Sequence, residues 1–227
     1  MQTGNSIQDY FKKRSSAISE LLKKPPGRFS AEDYHRLRVE IKKVRAVMTM
    51  PCDGVKKEKL KKLLKPARKL FKQAGKVRTV QLETSILKKY DPRHKLKLFL
   101  HQRQLQELKL KKEFSRVHHR KKDGLKKSLE IFLCKTKKIK KEDALAFLDR
   151  EKKEITGIAR YKKLEPAHVH ELRKRIKKLY YNIKSLGMNK KGLGIKNGNR
   201  LLDVIGKWHD CELMSAHLAK DIKEKIF

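Results

Sequence analysis

The side chains that could do chemistry in this chain are basic, and they recur at helical spacing in two places. The segment HRLRVEIKKVR begins at His35, and the segment HELRKRIKKLY begins at His170, 135 residues later (170 − 35). The first ten positions of the two segments share six identities. Histidine, arginine and lysine donate charge-assisted hydrogen bonds to phosphoryl oxygens, so this pattern indicates binding of a polyanion.

The basic residues of each segment fall on one stripe of a helix. At about 100° per residue, the cations of the first segment occupy an arc about 80° wide, and an adjoining apolar arc should face the core. No acidic residue interrupts either basic stripe, whereas an ordinary solvated face mixes acids among the bases. A single basic surface helix is common, but two copies in phase favour a binding site. The stripe residues are His35, Arg38, Lys42 and Arg45 in the first copy and His170, Arg173 and Lys177 in the second.

A shorter similarity follows each copy. GKVRT begins at Gly75, and GKWHD begins at Gly206, 131 residues later (206 − 75). Because the two offsets are nearly equal, we predict two similar helical halves, about 1–114 and 115–227, related by a pseudo-twofold axis. The second motif adds three candidate binding residues, which are Arg78, Lys207 and His209.

The elements that must position these residues are predicted to be helices. Glycine and proline cluster at a few breaks, and the segments between them have apolar residues three and four positions apart. Ser30 and Asp33 form a capping-box-like start, Pro166 begins another helix, and Pro66 should kink or break the third. The glycine-rich, basic segment 190–194 is interpreted as a mobile loop. The predicted helices span about 6–23, 30–50, 55–90, 93–122, 124–136, 141–161, 166–186 and 198–225.

The composition indicates the class of partner. The 227 residues include 62 Lys and Arg against 25 Asp and Glu, which gives a formal charge of +37. Positive charges repel one another in the compact state, so such an excess indicates a polyanion: nucleic acid, polyphosphate or an anionic membrane. The 46 lysines outnumber the 16 arginines. This favours phosphate contacts over the reading of base edges, although thermophily or a lysine-rich genome also raises the lysine count.

Several classes of protein are excluded or disfavoured. No apolar run is long enough to span a membrane, and the N-terminus lacks the apolar stretch of a secretory signal. The three cysteines form no CxxC pair, which fits a reducing, cytoplasmic location. The acids are scattered and no third ligand joins any histidine pair, so neither a magnesium nor a zinc site is indicated. We therefore expect no catalysis and no cofactor, with a histidine phosphoacceptor at His35 or His170 as the enzymatic alternative.

The repeated HxLRVxxKKxR pattern and its G-x-x-[RH]-D-like echo resemble the CHAD domain, the conserved-histidine α-helical domain. The resemblance covers roughly residues 5–225 in the expected order. It implies an all-α fold of two four-helix bundles related by a pseudo-twofold axis, with a basic groove or pore between them. It also implies inorganic polyphosphate as the ligand. Some relatives are fused to a CYTH triphosphatase domain, but its ExExK motif is missing here, so a single stand-alone CHAD-like domain is expected.

Transferred position by position, the resemblance makes the basic residues of both motifs the ligand surface. The sequence departs from the family pattern at Thr79, where the first echo would have Asp, and at Tyr180, where Arg45 would have its mate. The two halves are therefore expected to bind unequally. A polyanion favours protonated histidine, so binding should be tighter at pH 6 than at pH 8.

One rival function remains open at this point. A general polyanion-binding or nucleic-acid-binding helical protein would use the same net charge, although it should show aromatic stacking platforms. Weak nucleic-acid binding through net charge stays an alternative, and a membrane-surface role is a distant third. The expected location is cytoplasmic, with association with polyphosphate granules.

Overall fold

The computed structural model describes residues 3–51, 56–90, 97–188 and 198–223, and within these ranges the regular structure is entirely helical. The predicted all-α class is confirmed. A short 3₁₀ turn, Pro26–Arg28, precedes the second helix. The described helices are α1 (Thr3–Lys23), α2 (Ala31–Val47), α3 (Lys57–Tyr90), α4 (Lys97–Thr136), α5 (Lys141–Ala159), α6 (Pro166–Ser185) and α7 (Gly198–Lys223).

Local signals set the ends of α2 and α6, the two helices that contain the basic stripes. Ser30 Oγ accepts the backbone N–H of Asp33 at 3.2 Å, and the Asp33 carboxylate accepts the N–H of Ser30 at 2.7 Å. These bonds form the predicted capping box. Pro166 occupies the first turn of α6 as predicted. Just past the end of α6, Gly187 has φ +68°, the left-handed conformation that favours glycine there.

Two helices run on where the sequence predicted an interruption. The segments predicted as 93–122 and 124–136 form the single helix α4, and α3 continues through Pro66 without the break that was one expected outcome. Glycine in a helix costs only about 1 kcal/mol relative to alanine. Leucines on both sides of Gly124 and Pro66 enter the core, so packing outweighs the local preference.

The merged helix spans the predicted boundary between the two halves of the chain. Among the described residues, four α-helices precede residue 137 and three follow it. The predicted boundary between residues 114 and 115 lies inside α4, and the arrangement of two pseudo-twofold halves stays a prediction. Cys134 and Cys211 are free and exposed. The loop predicted at 190–194 and Cys52 lie outside the described residues.

The helices pack around one continuous apolar core. Helices α3 and α4 lie along each other, α2 contacts α1, α3 and α6, and α6 contacts α5 and α7. Fully buried aromatic rings fix the centre, with Phe11 against Phe132 at 5.1 Å and Tyr34 against Phe114 at 4.9 Å between centroids. As a result, α2 and α6 are held against each other with their apolar faces inward.

Candidate functional site

Arg38 of α2 is seated on a glycine of α3. Its Cζ lies 4.2 Å from the centroid of the Phe71 ring, and its Nη1 donates to the Phe71 carbonyl oxygen at 3.0 Å. A Cβ atom at Gly75 would lie only 2.0 Å from Nη1. The missing side chain at Gly75 therefore opens the surface of α3 to the guanidinium group, which is anchored to the neighbouring backbone.

The same contact occurs between α6 and α7. A Cβ atom at Gly206 would lie 3.3 Å from Nη2 of Arg173. The repeated glycine thus has a structural reason that the sequence did not reveal: each glycine receives the arginine of the repeated HxLR motif. The two similarities found in the sequence are the two sides of one contact.

The Phe71 ring faces three cations of α2. Besides Arg38, the Nζ of Lys42 lies 5.7 Å and the Cζ of Arg45 lies 5.5 Å from the ring centroid. Such cation–π contacts hold basic side chains together without neutralising them. Sequence analysis missed this ring, and its position one turn before Gly75 was the available signal. The matching position on α7 is Leu202, which is buried and has no ring.

The histidine of each HxLR motif lies beside the fourth residue of the echo. His170 and His209 have ring centroids 4.7 Å apart. Partial desolvation, and the charge of Arg78 among others, lower the pKa of His35 below its ordinary 6.5. Burial and the neighbouring Lys174, His209 and Arg173 lower the pKa of His170. Both rings are therefore harder to protonate in the free protein than an ordinary histidine.

The basic residues of α2 and α6 converge. Burial, together with the charges of Arg38, Lys177, Arg173 and Arg45, lowers the pKa of Lys42 from 10.5 to about 8. Two of these charges come from α6, so cations from both helices share one region. We call Arg38, Lys42, Arg45, Arg173 and Lys177 the convergent stripe.

The convergent stripe is unpaired, whereas the cations next to it are paired. None of its five residues forms an ion pair with an acid of the described ranges. By contrast, Lys43 Nζ lies 2.6 Å from Glu40 Oε1, and Lys178 Nζ lies 3.0 Å from Glu151 Oε1. The acids of α2 and α5 therefore neutralise the adjacent helix faces and leave the stripe positive.

A few groups on α7 moderate this charge. Burial and Arg173 lower the pKa of Lys177, while Asp203 and Asp210 act in the opposite direction. In addition, the ring Nδ1 atoms of His170 and His209 are buried without a hydrogen-bond partner among the described residues. The polar atoms around α6 and α7 thus retain unused hydrogen-bonding capacity.

Lys207 is the predicted site residue that the geometry does not bring to the stripe. It is exposed, and it points about 100° around α7 from Gly206. Its counterpart on α3, Lys76, lies 3.8 Å from Glu113 of α4. The other predicted residues lie in or beside the stripe. Those beside it are Arg78, His35, His170 and His209.

The described residues show neither a metal site nor a membrane span. In the ranges given above, no three His, Cys, Asp or Glu side chains form a group that could hold a metal ion. No helix in the same ranges combines the length and apolar character needed to cross a bilayer.

Comparison with known proteins identifies the family. The family model of the CHAD domain matches residues 15–219, so the chain belongs to the CHAD domain family. The crystal structure of the CHAD domain from the plant Ricinus communis has the same fold, with a TM-score of 0.73. The two sequences are 14% identical, and the match covers 98% of this chain and 80% of that chain. No curated protein matches the chain by sequence.

Proposed function

We propose that the protein binds inorganic polyphosphate through the convergent stripe and the flanking histidines, and that it does so without catalysis. One observation carries this proposal. The charges of Arg173 and Lys177 on α6 lower the pKa of Lys42 on α2, and no acid of the described residues forms an ion pair with any of these three side chains. Partly buried, unpaired like charges destabilise a folded protein. An anion that binds between them reverses that effect.

The stripe suits a chain of phosphates. Arg38, fixed by the Phe71 carbonyl, and Arg45 present planar donors, while Lys42 and Lys177 supply point charges from the two helices. Partial burial reduces screening, so each contact is stronger than one on an open surface. A bound polyanion raises the lowered pKa values of the lysines and histidines. Family membership and the sequence motif favour polyphosphate over other polyanions.

The remaining charge of the protein has a different role. Most of the 62 lysines and arginines lie outside the stripe. They attract the ligand from a distance and make association sensitive to salt. This picture fits a protein that works in the cytoplasm and associates with polyphosphate granules, which we include in the proposal.

General polyanion or nucleic-acid binding is the second candidate, and the diffuse charge of +37 favours it. Nucleic acid binding of this kind uses exposed aromatic platforms on which bases stack. The Phe71 ring beside the stripe is already in contact with three cations. The stripe therefore fits a ligand without bases better than a nucleic acid.

A competition titration separates the two candidates. Labelled long-chain polyphosphate is bound at fixed ionic strength and challenged with unlabelled polyphosphate, single-stranded RNA or duplex DNA, at equal concentrations of phosphate. We expect unlabelled polyphosphate to displace the label at a concentration at least about tenfold lower than either nucleic acid needs. Equal displacement per phosphate by all three competitors would overturn the specific proposal in favour of general polyanion binding.

A further inference from the structure

A second basic concavity lies on the side of α3 that faces α4. It is a cleft of about 300 Å³ between the two helices. Five cations line it, three from α3 and two from α4, and no carboxylate is among its lining residues. The cations are Lys69, Lys72, Lys76, Arg120 and Lys121.

The floor of this cleft is ordered by a polar contact between the helices. The side-chain amide of Gln73 is buried and donates to Glu113 Oε2 at 2.9 Å. Glu113 also lies 3.8 Å from Lys76, which is the one ion pair at this cleft among the described residues. Four of the five cations are left without an acidic partner there, on helices that are held in fixed register.

A similar concavity elsewhere shows that this charge arrangement is not general. The cleft between α1 and α4 has nearly the same volume, about 320 Å³. Its lysines, Lys12, Lys23 and Lys126, alternate with Glu20 and Glu130. Clefts between helices of this protein are therefore not cationic by default, even at a net charge of +37.

The cationic cleft is connected to the convergent stripe by basic residues. Burial and the charge of Arg68 lower the pKa of Arg45, so Arg68 on α3 lies beside the stripe. Lys72 follows Arg68 by one helical turn and already lines the cleft. A line of cations thus leads from the stripe across α3.

No equivalent line exists on α7. The positions that match Arg68 and Lys72 are Asn199 and Asp203. Residues 198–223 contain four Lys and Arg and four Asp and Glu, so this helix is neutral overall. Of these two described helices, α3 is therefore the one whose residues continue the basic stripe.

We propose that the cleft between α3 and α4 is a second anion-binding site, which takes the part of a long polyphosphate chain that extends beyond the convergent stripe. This inference rests on the proposed function. It makes the protein selective for long chains, because a short chain can fill the stripe but cannot reach the cleft. It also directs the bound chain from the stripe over α3 towards α4.

The test compares a long-chain polyphosphate with tripolyphosphate on the full chain. In the cleft variant, Lys69→Gln and Lys121→Gln remove two charges from the cationic cleft. The control variant, Lys12→Gln and Lys126→Gln, removes the same charge from the α1–α4 cleft of similar size. Affinities are measured over a range of salt concentrations, and circular dichroism checks that both variants remain helical.

We expect the cleft variant to bind the long chain about tenfold more weakly, with a salt slope smaller by about two, one for each lost phosphate contact. Its affinity for tripolyphosphate should match that of the control variant. If the cleft variant and the control bind the long chain equally, or if tripolyphosphate is weakened as much as the long chain, the second site is refuted. If the unaltered protein binds neither chain, the proposed function itself fails, which is a distinguishable result.

Discussion

The helix pairs α2–α3 and α6–α7 have the same arginine-on-glycine contact but different surroundings. Arg38 reaches Gly75 and gains a hydrogen bond and an aromatic ring, whereas Arg173 reaches Gly206 and has Leu202 where the ring would be. The repeated motif therefore specifies how a basic side chain is seated. It does not specify whether a hydrogen bond and an aromatic ring also hold that side chain in place.

The outer faces of α3 and α7 differ still more. On α3, which packs along α4, this face includes Leu70 and Val77, and both side chains are fully buried. The matching residues of α7, Leu201 and Trp208, are 43% and 37% exposed. The arginine-on-glycine contact therefore does not depend on a covering helix, because it is retained on α7, where no helix of the described ranges buries Leu201 and Trp208.

The largest effect is expected from a leucine-to-alanine substitution in α3, and the same substitution in α7 tests the difference in packing. Leu70→Ala removes a buried side chain and should lower the free energy of unfolding by about 2–5 kcal/mol. Leu201→Ala changes a half-exposed side chain and should lower it by less than about 1 kcal/mol. Urea denaturation followed by circular dichroism measures both. Equal losses would mean that the outer face of α7 is as buried in solution as that of α3.

The next effect is the pH dependence of binding, which the stripe residue Lys42 should dominate. Its pKa is about 8 in the free protein, and a bound polyanion raises that pKa. Binding above pH 8 must therefore take up a proton, so affinity should fall roughly tenfold between pH 7 and pH 9. Further tightening below pH 6.5 should come from His35 and His170, whose pKa values are lowered in the free protein.

The variant Lys42→Met is the control for this pH effect. It should flatten the loss of affinity between pH 7 and pH 9, and an unchanged slope would show that another group titrates there.

The same pKa shift has a consequence for folding. The folded-state pKa lies below the usual 10.5, so the charged lysine destabilises the fold below pH 8, and stability recovers as the pH rises from 8 towards 10.5. Lys42→Met should therefore raise the Tm at pH 7 while it weakens binding.

A smaller effect on polyphosphate binding should distinguish the two arginine-on-glycine contacts. Gly75→Ala places a methyl group where Nη1 of Arg38 now lies, so the guanidinium must swing away, whereas Gly206→Ala leaves a tight but tolerable contact of 3.3 Å to Arg173. We expect Gly75→Ala to weaken polyphosphate binding about fivefold and Gly206→Ala by less than twofold. Neither should lower the Tm, because alanine is the better helix former. A larger loss for Gly206→Ala would reverse our ranking of the seats.

Much of the fold could be predicted from the sequence because it depends on local patterns. The capping box at Ser30, the start at Pro166 and the all-α class follow from signals within a few residues. The continuity of α4 could not be predicted, because Gly124 is a helix breaker by local preference and only the core contacts of its neighbours keep the helix intact.

The site was predictable in its residue types but not in its geometry. Helical spacing placed Arg38, Lys42 and Arg45 on one face, and the structure brings them together. Distances between helices cannot be derived from helical spacing, so neither the convergence of α2 with α6 nor the contact with the Phe71 ring was predictable. Lys207 is predicted by its position in a motif, and the spacing within the motif does not show that it lies about 100° around α7 from Gly206, on an exposed side.

We propose that the convergent stripe, and not the net charge, determines polyphosphate binding. The chain offers a matched test, because each stripe lysine is followed by a lysine that is paired with an acid: Lys43 with Glu40 and Lys178 with Glu151. The double variant Lys42→Met, Lys177→Met is compared with the double variant Lys43→Met, Lys178→Met, which has the same net charge. Both acids keep a basic partner in the second variant, because Arg14 lies near Glu40 and Arg175 near Glu151.

The Kd for long-chain polyphosphate, measured for both double variants at one ionic strength and pH 7, is the most direct measurement. We expect the stripe variant to bind at least about tenfold more weakly than the unaltered protein, since it loses two charge-assisted contacts. The neighbouring variant should lose less than about threefold, the effect of diffuse charge alone. Equal losses in the two variants would show that net charge, and not the convergent stripe, determines binding.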